Sequence, residues 1–205
     1  LNDNFVYADE FVSYLENKFK NKPSNNDIFY SLDNEPDLWS ETHSRIHPDP
    51  VTYSELINKT KRYASAIKNT TPGTKVFGSV NYGFSGMESL QNAKDSNGRN
   101  YIKTFLREMA KAEANSGKRL IDVLDIHWYP EARGGGKRIT VDDSSKKVAE
   151  ARIQAPRSLW DPSYKENSWI ANDYLNDPIK LLPKLKNKIN NNYPGTKLAI
   201  TEYYY

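Results

Sequence analysis

Two glutamates stand where apolar runs give way to polar clusters. Glu35 lies in Asn34-Glu35-Pro36, just after Ile28-Phe29-Tyr30-Ser31-Leu32, and Glu202 follows Lys197-Leu198-Ala199-Ile200-Thr201. Two carboxyl groups, one protonated and one ionised, suffice to hydrolyse a glycosidic bond with retention. The acid protonates the leaving oxygen and the carboxylate attacks the sugar carbon, across a gap of about 5 to 5.5 Å. Asn34 is suited to bond a sugar 2-hydroxyl, and Pro36 stiffens the turn that aims the acid, so Glu35 is assigned as acid/base. Glu202 is assigned as nucleophile, with the hydroxyl of Tyr203 or of a neighbouring tyrosine holding it ionised. A lone Glu at a strand end is ordinarily a solvated surface acid; it is the pair that points to chemistry.

Other strand-end clusters carry groups that bind sugars. Asn81-Tyr82-Gly83 follows Lys75-Val76-Phe77-Gly78-Ser79-Val80, and His127-Trp128-Tyr129-Pro130 follows Ile121-Asp122-Val123-Leu124-Asp125-Ile126. His127 reads as scaffolding for the site or as a sugar hydrogen-bond partner, and Trp128, Tyr129 and Tyr82 read as ligand-facing rings. Trp39 either stacks on a sugar or packs over the rim. His43 and His47 have the i, i+4 spacing of a metal pair, but Pro48 and Pro50 oppose a regular helix there and no third ligand stands out, so no metal site is assigned.

Helices must lie between these strands. Phe11, Val12, Leu15 and Phe19 mark one face of a helix over Ala8 to Phe19, followed by a Pro23-Ser24-Asn25-Asn26 turn. Thr52-Tyr53-Ser54-Glu55 has the form of a capping box opening a helix with Leu56, Ile57, Tyr63, Ala64 and Ile67 on its stripe. Tyr101, Ile102, Phe105, Leu106 and Met109 mark another, which Gly117 terminates, and Pro178 is expected to open a last one through Leu182, Leu185 and Ile189. Between Glu131 and Asp177 lies a long insertion; its Gly134-Gly135-Gly136 lacks the strand-turn-helix setting of a phosphate loop and reads as a flexible surface loop, and Trp169 reads as core. Helix and strand alternate four times, which predicts a parallel sheet with helical crossovers. All four strands end in reactive or sugar-binding side chains, the distribution expected of a barrel rim.

Composition narrows the partners. Among 205 residues, 29 Lys plus Arg against 26 Asp plus Glu give a net charge of +3, too small and too dispersed to suggest nucleic acid or an anionic membrane. No run approaches a membrane span, and the absence of cysteine excludes disulfides and thiol catalysis. The 14 Tyr, 7 Phe and 4 Trp make 12% of an otherwise polar chain, a mixture that a saccharide groove uses by offering flat rings to C–H faces. The start at Leu1, without an initiator Met or signal peptide, suggests a mature or excised chain.

Longer strings carry a resemblance. Tyr30-Ser31-Leu32-Asp33-Asn34-Glu35-Pro36-Asp37-Leu38-Trp39, Asp125-Ile126-His127-Trp128-Tyr129-Pro130-Glu131 and Ile200-Thr201-Glu202-Tyr203 resemble glycoside hydrolase family 44, over nearly the whole chain. The resemblance implies bacterial endoglucanases and xyloglucanases, acting with retention on a (β/α)₈ TIM barrel joined to a β-sandwich. Its acid/base is the Glu of Asn-Glu-Pro and its nucleophile that of Thr-Glu-Tyr, here Glu35 and Glu202. Arg157-Ser158-Leu159-Trp160-Asp161-Pro162 also resembles the family, with Trp160 as a stacking face and Arg157 bonding hydroxyls or steering the nucleophile.

The resemblance also places Glu35 on the fourth barrel strand and Glu202 on the seventh. Residues 1–205 would then be part of one catalytic domain, with 131–177 an insertion after the third strand of this chain. The partners implied are a β-glucan polysaccharide or oligosaccharide and the rest of the barrel and sandwich. No organic cofactor is implied, a structural calcium ion elsewhere is left open, and the location is secreted. The isolated segment is expected to be inactive, because half a barrel exposes edges and apolar inner faces. The competing reading is a non-catalytic carbohydrate-binding or scaffold fragment.

Overall fold

Four parallel strands set the architecture, and each is followed by helical crossover before the next begins. The structure, a computed structural model, describes residues 5–21 and 28–205. The Pro23–Asn26 turn lies outside the described residues. Strands β1 (Tyr30–Ser31), β2 (Val76–Asn81), β3 (Val123–Trp128) and β6 (Lys197–Tyr203) form one sheet in the order β1-β2-β3-β6, every pair parallel. Chain order and spatial order coincide. A doubly wound sheet reverses direction part-way, whereas an arc of a barrel does not. The sheet is curled, a half-barrel, and the fold is α/β.

Seven α-helices accompany the sheet among the described residues. They are α1 (Ala8–Phe19), α2 (Trp39–Thr42), α3 (Tyr53–Thr70), α4 (Gly83–Ser89), α5 (Tyr101–Ser116), α6 (Lys146–Gln154) and α7 (Leu181–Asn192). Of these, α1 packs on α3, α3 on α5 and α5 on α7. Their ends follow from local chemistry. Thr52 Oγ1 accepts from Glu55 N at 3.1 Å, and the Asp95 carboxylate accepts from Tyr53 N and Ser54 N at 2.9 and 3.0 Å, so the first turn of α3 has few orphan donors. Asn100 Oδ1 caps α5 by accepting from Lys103 N at 2.9 Å, and Gly117, at φ 68°, ends it in the left-handed conformation that favours glycine. Apolar stripes on these helices meet Leu124, Ile126 and Trp128 from β3, burying Tyr101, Ile102, Phe105, Leu106 and Met109 completely.

Charges tie the base of the sheet. Lys68 Nζ, at the end of α3, donates to Asp122 Oδ2 and to Thr74 O, each at 2.6 Å, while Val76 N donates to the same Asp122 oxygen at 2.9 Å. One buried ion pair therefore joins the third helix to the starts of two strands.

Several expectations change. The strand predicted over Ile28–Leu32 pairs regularly only at Tyr30–Ser31, because it has one neighbour, although Tyr30 N and Leu32 N still donate to Lys75 O and Phe77 O. The last helix begins at Leu181 rather than Pro178. Lys180 enters it at φ 48° and binds Asp177 at 2.8 Å, and Pro183 takes a first-turn position where its missing N–H costs nothing. Gly134–Gly136 belongs to a tight hairpin, β4 (Arg133–Gly134) against β5 (Lys137–Arg138), rather than to a flexible loop. Gly135 and Gly136 supply positive φ at its turn, and Gly134 lies so close to Lys147 O of α6 that a Cβ would stand 2.0 Å away. Arg152 of α6 then bonds Ile139 O through Nε and Nη2 at 3.0 and 2.7 Å, which orders this part of the 131–177 segment.

Candidate active site

Both glutamates owe their position to irregularities where strands end. Between β2 and β3 the register runs Ser79 to Asp125, then Asn81 to Ile126, leaving Val80 as an extra residue at φ 54°. This bulge turns the Val80 carbonyl toward the neighbouring turn, where it accepts from Glu35 N at 3.0 Å. Glu35 itself is left-handed, at φ 44° and ψ 56°, and Asp33 at φ 71° precedes it. Non-glycine residues in this region are strained and persist where their surroundings hold them.

A second bulge sits between β3 and β6. Ile126 pairs with Ile200, but His127 pairs with Glu202, so Thr201 is extra. Strict alternation would send Thr201 and Glu202 to opposite faces; with the bulge, both line one cleft with Asp125 and His127. That cleft, about 440 Å³, opens on the sheet's inner face and also takes in Asn34, Ser31 and Phe77.

His127 joins the two carboxyl groups. Its Nδ1 lies 2.8 Å from Glu35 Oε1 and 3.6 Å from Glu202 Oε2. The three donor atoms all lie within 4.8 Å of one another. Side-chain exposure grades across them: His127 is 2% exposed, Glu35 16% and Glu202 44%. Glu35 is thus the more sheltered carboxyl, and Glu202, the open one, faces the cleft. Two carboxylates and an imidazole are also a donor set that can hold a divalent cation, and this is the one such group among the described residues.

Tyr129 completes the arrangement. Its hydroxyl donates to Glu202 Oε1, and that bond, with burial adding to it, pushes the phenol up to about 12. The expected partner for Glu202 was Tyr203 or its neighbour, but Tyr203 is 65% exposed and packs near Tyr205. Beneath the pair, Thr201 Oγ1 donates to Asp125 Oδ1 at 2.8 Å, while burial holds that carboxyl above its ordinary range.

The remaining candidates separate. Tyr82 lies 6.1 Å from Tyr129, ring centre to ring centre, and the two line a small second cavity with Phe84, Glu131, Arg138 and Trp169. Trp169, expected in the core, is 37% exposed and meets Phe84 edge-on at 5.8 Å. Trp128 is fully buried in the main core, on the face of β3 opposite His127, so it offers no face to a ligand. Trp39 packs on His47 at 5.2 Å and under Lys59, lining a cavity with Phe11, Leu56 and Tyr63 rather than the Glu202 cleft. His47 is engaged by Glu55 at 2.7 Å. Arg157 is held within its own segment by Asp161 at 2.8 Å and over the Tyr164 ring, and Trp160 is 53% exposed there. Asn34 is exposed at the cleft edge.

The sequence profile of glycoside hydrolase family 44 matches residues 1–132. The chain belongs to glycoside hydrolase family 44. It is 51% identical to the β-mannanase/endoglucanase A of Caldicellulosiruptor saccharolyticus over 224 residues, covering 100% of this chain and 17% of the relative. It is 48% identical to endoglucanase A of Paenibacillus lautus over 212 residues, covering 100% and 30%. Its structure is similar to that of the family 44 endoglucanase Cel44A of Clostridium thermocellum, with a TM-score of 0.92 and 49% identity over 98% of this chain and 41% of that one. The Paenibacillus polymyxa family 44 xyloglucanase, solved with xyloglucan, gives 0.91 and 46% over 98% and 40%. The chain therefore spans less than a third of these curated relatives and about two fifths of these solved ones.

Proposed function

We propose that this chain carries both catalytic carboxyl groups of a secreted, retaining endo-β-1,4-glucanase, and that it forms strands four to seven of a (β/α)₈ barrel completed by the rest of the same protein. The observation that carries the reading is the approach of Glu35 and Glu202 to within 4.8 Å. Retaining hydrolysis uses a separation of about 5 to 5.5 Å, whereas inversion leaves about 6.5 to 9.5 Å for an intervening water. A pair this close favours direct attack.

In the first half-reaction Glu35 protonates the glycosidic oxygen as Glu202 attacks the anomeric carbon, forming a glycosyl-enzyme. In the second, Glu35 takes a proton from water as that water displaces Glu202, and the starting protonation is restored. His127 positions Glu35 through Nδ1, and the Tyr129 hydroxyl orients Glu202. Asn34 binds sugar at the edge of the cleft, and Tyr82, Tyr129 and Trp169 bind it in the second cavity, to which the 131–177 segment contributes Glu131 and Arg138. The substrate class, internal β-1,4 bonds of cellulose-type glucans or xyloglucan, is inferred from what the relatives are named for.

The reading is tested on the complete protein by proton NMR of cello-oligosaccharide hydrolysis. The β-anomer should form first and then mutarotate. An α-anomer formed first would mean inversion, and no turnover in a protein that still binds the oligosaccharide would mean a binding module.

A further inference from the structure

Asp37 lies two residues beyond Glu35, in the 3₁₀ turn Pro36–Leu38, and is only 6% exposed. A carboxyl buried this deeply is stable only if its oxygens are partnered or protonated. Oδ1 accepts from the backbone N of Tyr82 at 3.0 Å, across the gap between the turn after β1 and the turn after β2. Oδ2 is buried without a hydrogen-bond partner, and so is Asn81 Nδ2. Gly86 of α4 closes over them: a Cβ built there would stand 2.0 Å from Asp37 Oδ2 and 3.3 Å from Asn81 Cβ. Any larger residue at 86 must expel the carboxyl.

These contacts bear on Glu35. Its left-handed backbone does not hold itself, and the bond from Glu35 N to Val80 O fixes one point of the turn. The Asp37 bond to Tyr82 N fixes a second, two residues farther along on both segments. His127 holds the Glu35 carboxyl itself, and the two anchors between the turns fix the backbone from which that side chain leaves.

We propose that Asp37 is a positioning residue for Glu35, a buried carboxyl that clamps the turn carrying the proton donor onto the turn carrying Tyr82. This rests on the acid/base reading of Glu35. Burial lifts Asp37 to about 7 against the opposing Tyr82 N–H, and the charge of Glu35 adds to the rise. In mildly acidic solution the clamp is therefore a neutral acid and sets no second negative charge behind Glu35. The other ionisable group that senses it is Tyr101, from α5. Asp37 touches no reacting atom in this scheme; its role is geometric.

The test uses the protein with its complete barrel and two aryl β-cellobiosides. A 2,4-dinitrophenyl leaving group departs without a proton, whereas a phenyl group needs one. Asp37→Ala and Gly86→Ala should each lower kcat on the phenyl substrate about 10- to 100-fold, the scale set by a misplacement of about an ångström, with KM unchanged. On the dinitrophenyl substrate kcat/KM, which reports only the first half-reaction, should stay within about threefold of the parent, because that departure requires no proton. Asp37→Asn keeps an acceptor for Tyr82 N and should return phenyl turnover to within about fivefold of the parent.

Equal losses on both substrates, or none on either, would overturn the proposal; if Asp37→Ala does not fold, Gly86→Ala decides alone. Glu35→Ala serves as the calibrator. If it lacks the leaving-group dependence, the acid/base reading fails and the clamp with it; if it shows the dependence while the 37 and 86 variants do not, only the clamp is refuted.

Discussion

The two ends of the same four strands treat buried charge in opposite ways. At the base, Asp122 accepts from Lys68 Nζ and Val76 N, and Lys68 also reaches Thr74 O, so each charged group has several partners. At the rim, Glu35 and Val80 take left-handed backbone, two bulges break the register, and Asp37 Oδ2 and Asn81 Nδ2 lack partners. At the base the ion pair is fully partnered and ties the strands together. The rim keeps carboxyl groups off their local minima and within reach of a ligand, the division expected when chemistry sits at the C-terminal ends of barrel strands.

That contrast breaks if removing rim charges costs stability or removing base charges costs chemistry. The largest expected effect is at the rim. Glu35→Gln or Glu202→Gln should reduce turnover of unactivated substrates in the complete protein by about 10²- to 10⁴-fold while leaving the unfolding midpoint unchanged, as read by steady-state kinetics and calorimetry. Lys68→Met at the base should do the reverse. It leaves Asp122 with only Val76 N and the more distant Lys75, so denaturant unfolding should show a loss of about 1.5 to 3 kcal/mol with kcat of the folded enzyme unaltered.

Smaller changes sharpen the comparison. Tyr129→Phe removes the hydroxyl that bonds Glu202 and should lower kcat about tenfold or more, since a hydrogen bond to a charged group contributes about 1.5 to 3 kcal/mol. Asp37 should give the rim a pH signature. Its folded value of about 7 lies above the ordinary 3.8, so between those values the folded protein keeps a proton that the unfolded chain has released. The contribution of Asp37 to stability is therefore lost as pH rises from about 4 to about 7, and Asp37→Asn should flatten that slope in melts recorded across the window. Asn100→Ala, which removes the α5 cap but lines neither cavity at the rim, should cost only about 1 kcal/mol and no activity.

What could be read from sequence divides along the same line. Helices α1, α3 and α5 were legible to within a residue or two, because an apolar stripe, the Thr52 cap and the Gly117 stop are local signals. The alternation of strand and helix, and the polar clusters at the strand ends, gave the parallel arc and the Glu35–Glu202 pair. The bulges at Val80 and Thr201 were not legible, since register is fixed by the neighbouring strand. Without them the strict alternation of β6 says nothing about which hydroxyl meets Glu202, and Tyr129 was missed as that partner in favour of Tyr203. Trp128, expected to face a ligand, is buried, and Trp169, expected in the core, is partly exposed. A tryptophan's type does not encode its side of a strand, and Trp169 is aimed by Phe84 and Tyr174 from other segments. Asp37 carried no signal of its own, because its burial depends on Gly86, far along the chain.

The central claim is that Glu202 attacks the sugar while Glu35 supplies the proton. Incubating the complete enzyme with a 2-deoxy-2-fluoro-β-cellobioside bearing a good leaving group slows hydrolysis of any glycosyl-enzyme, and peptide mass mapping then locates the adduct. A fluoroglycosyl group on the peptide containing Glu202, absent in Glu202→Gln, is the predicted result; attachment to Glu35 or any other residue, or inactivation without an adduct, would contradict the account.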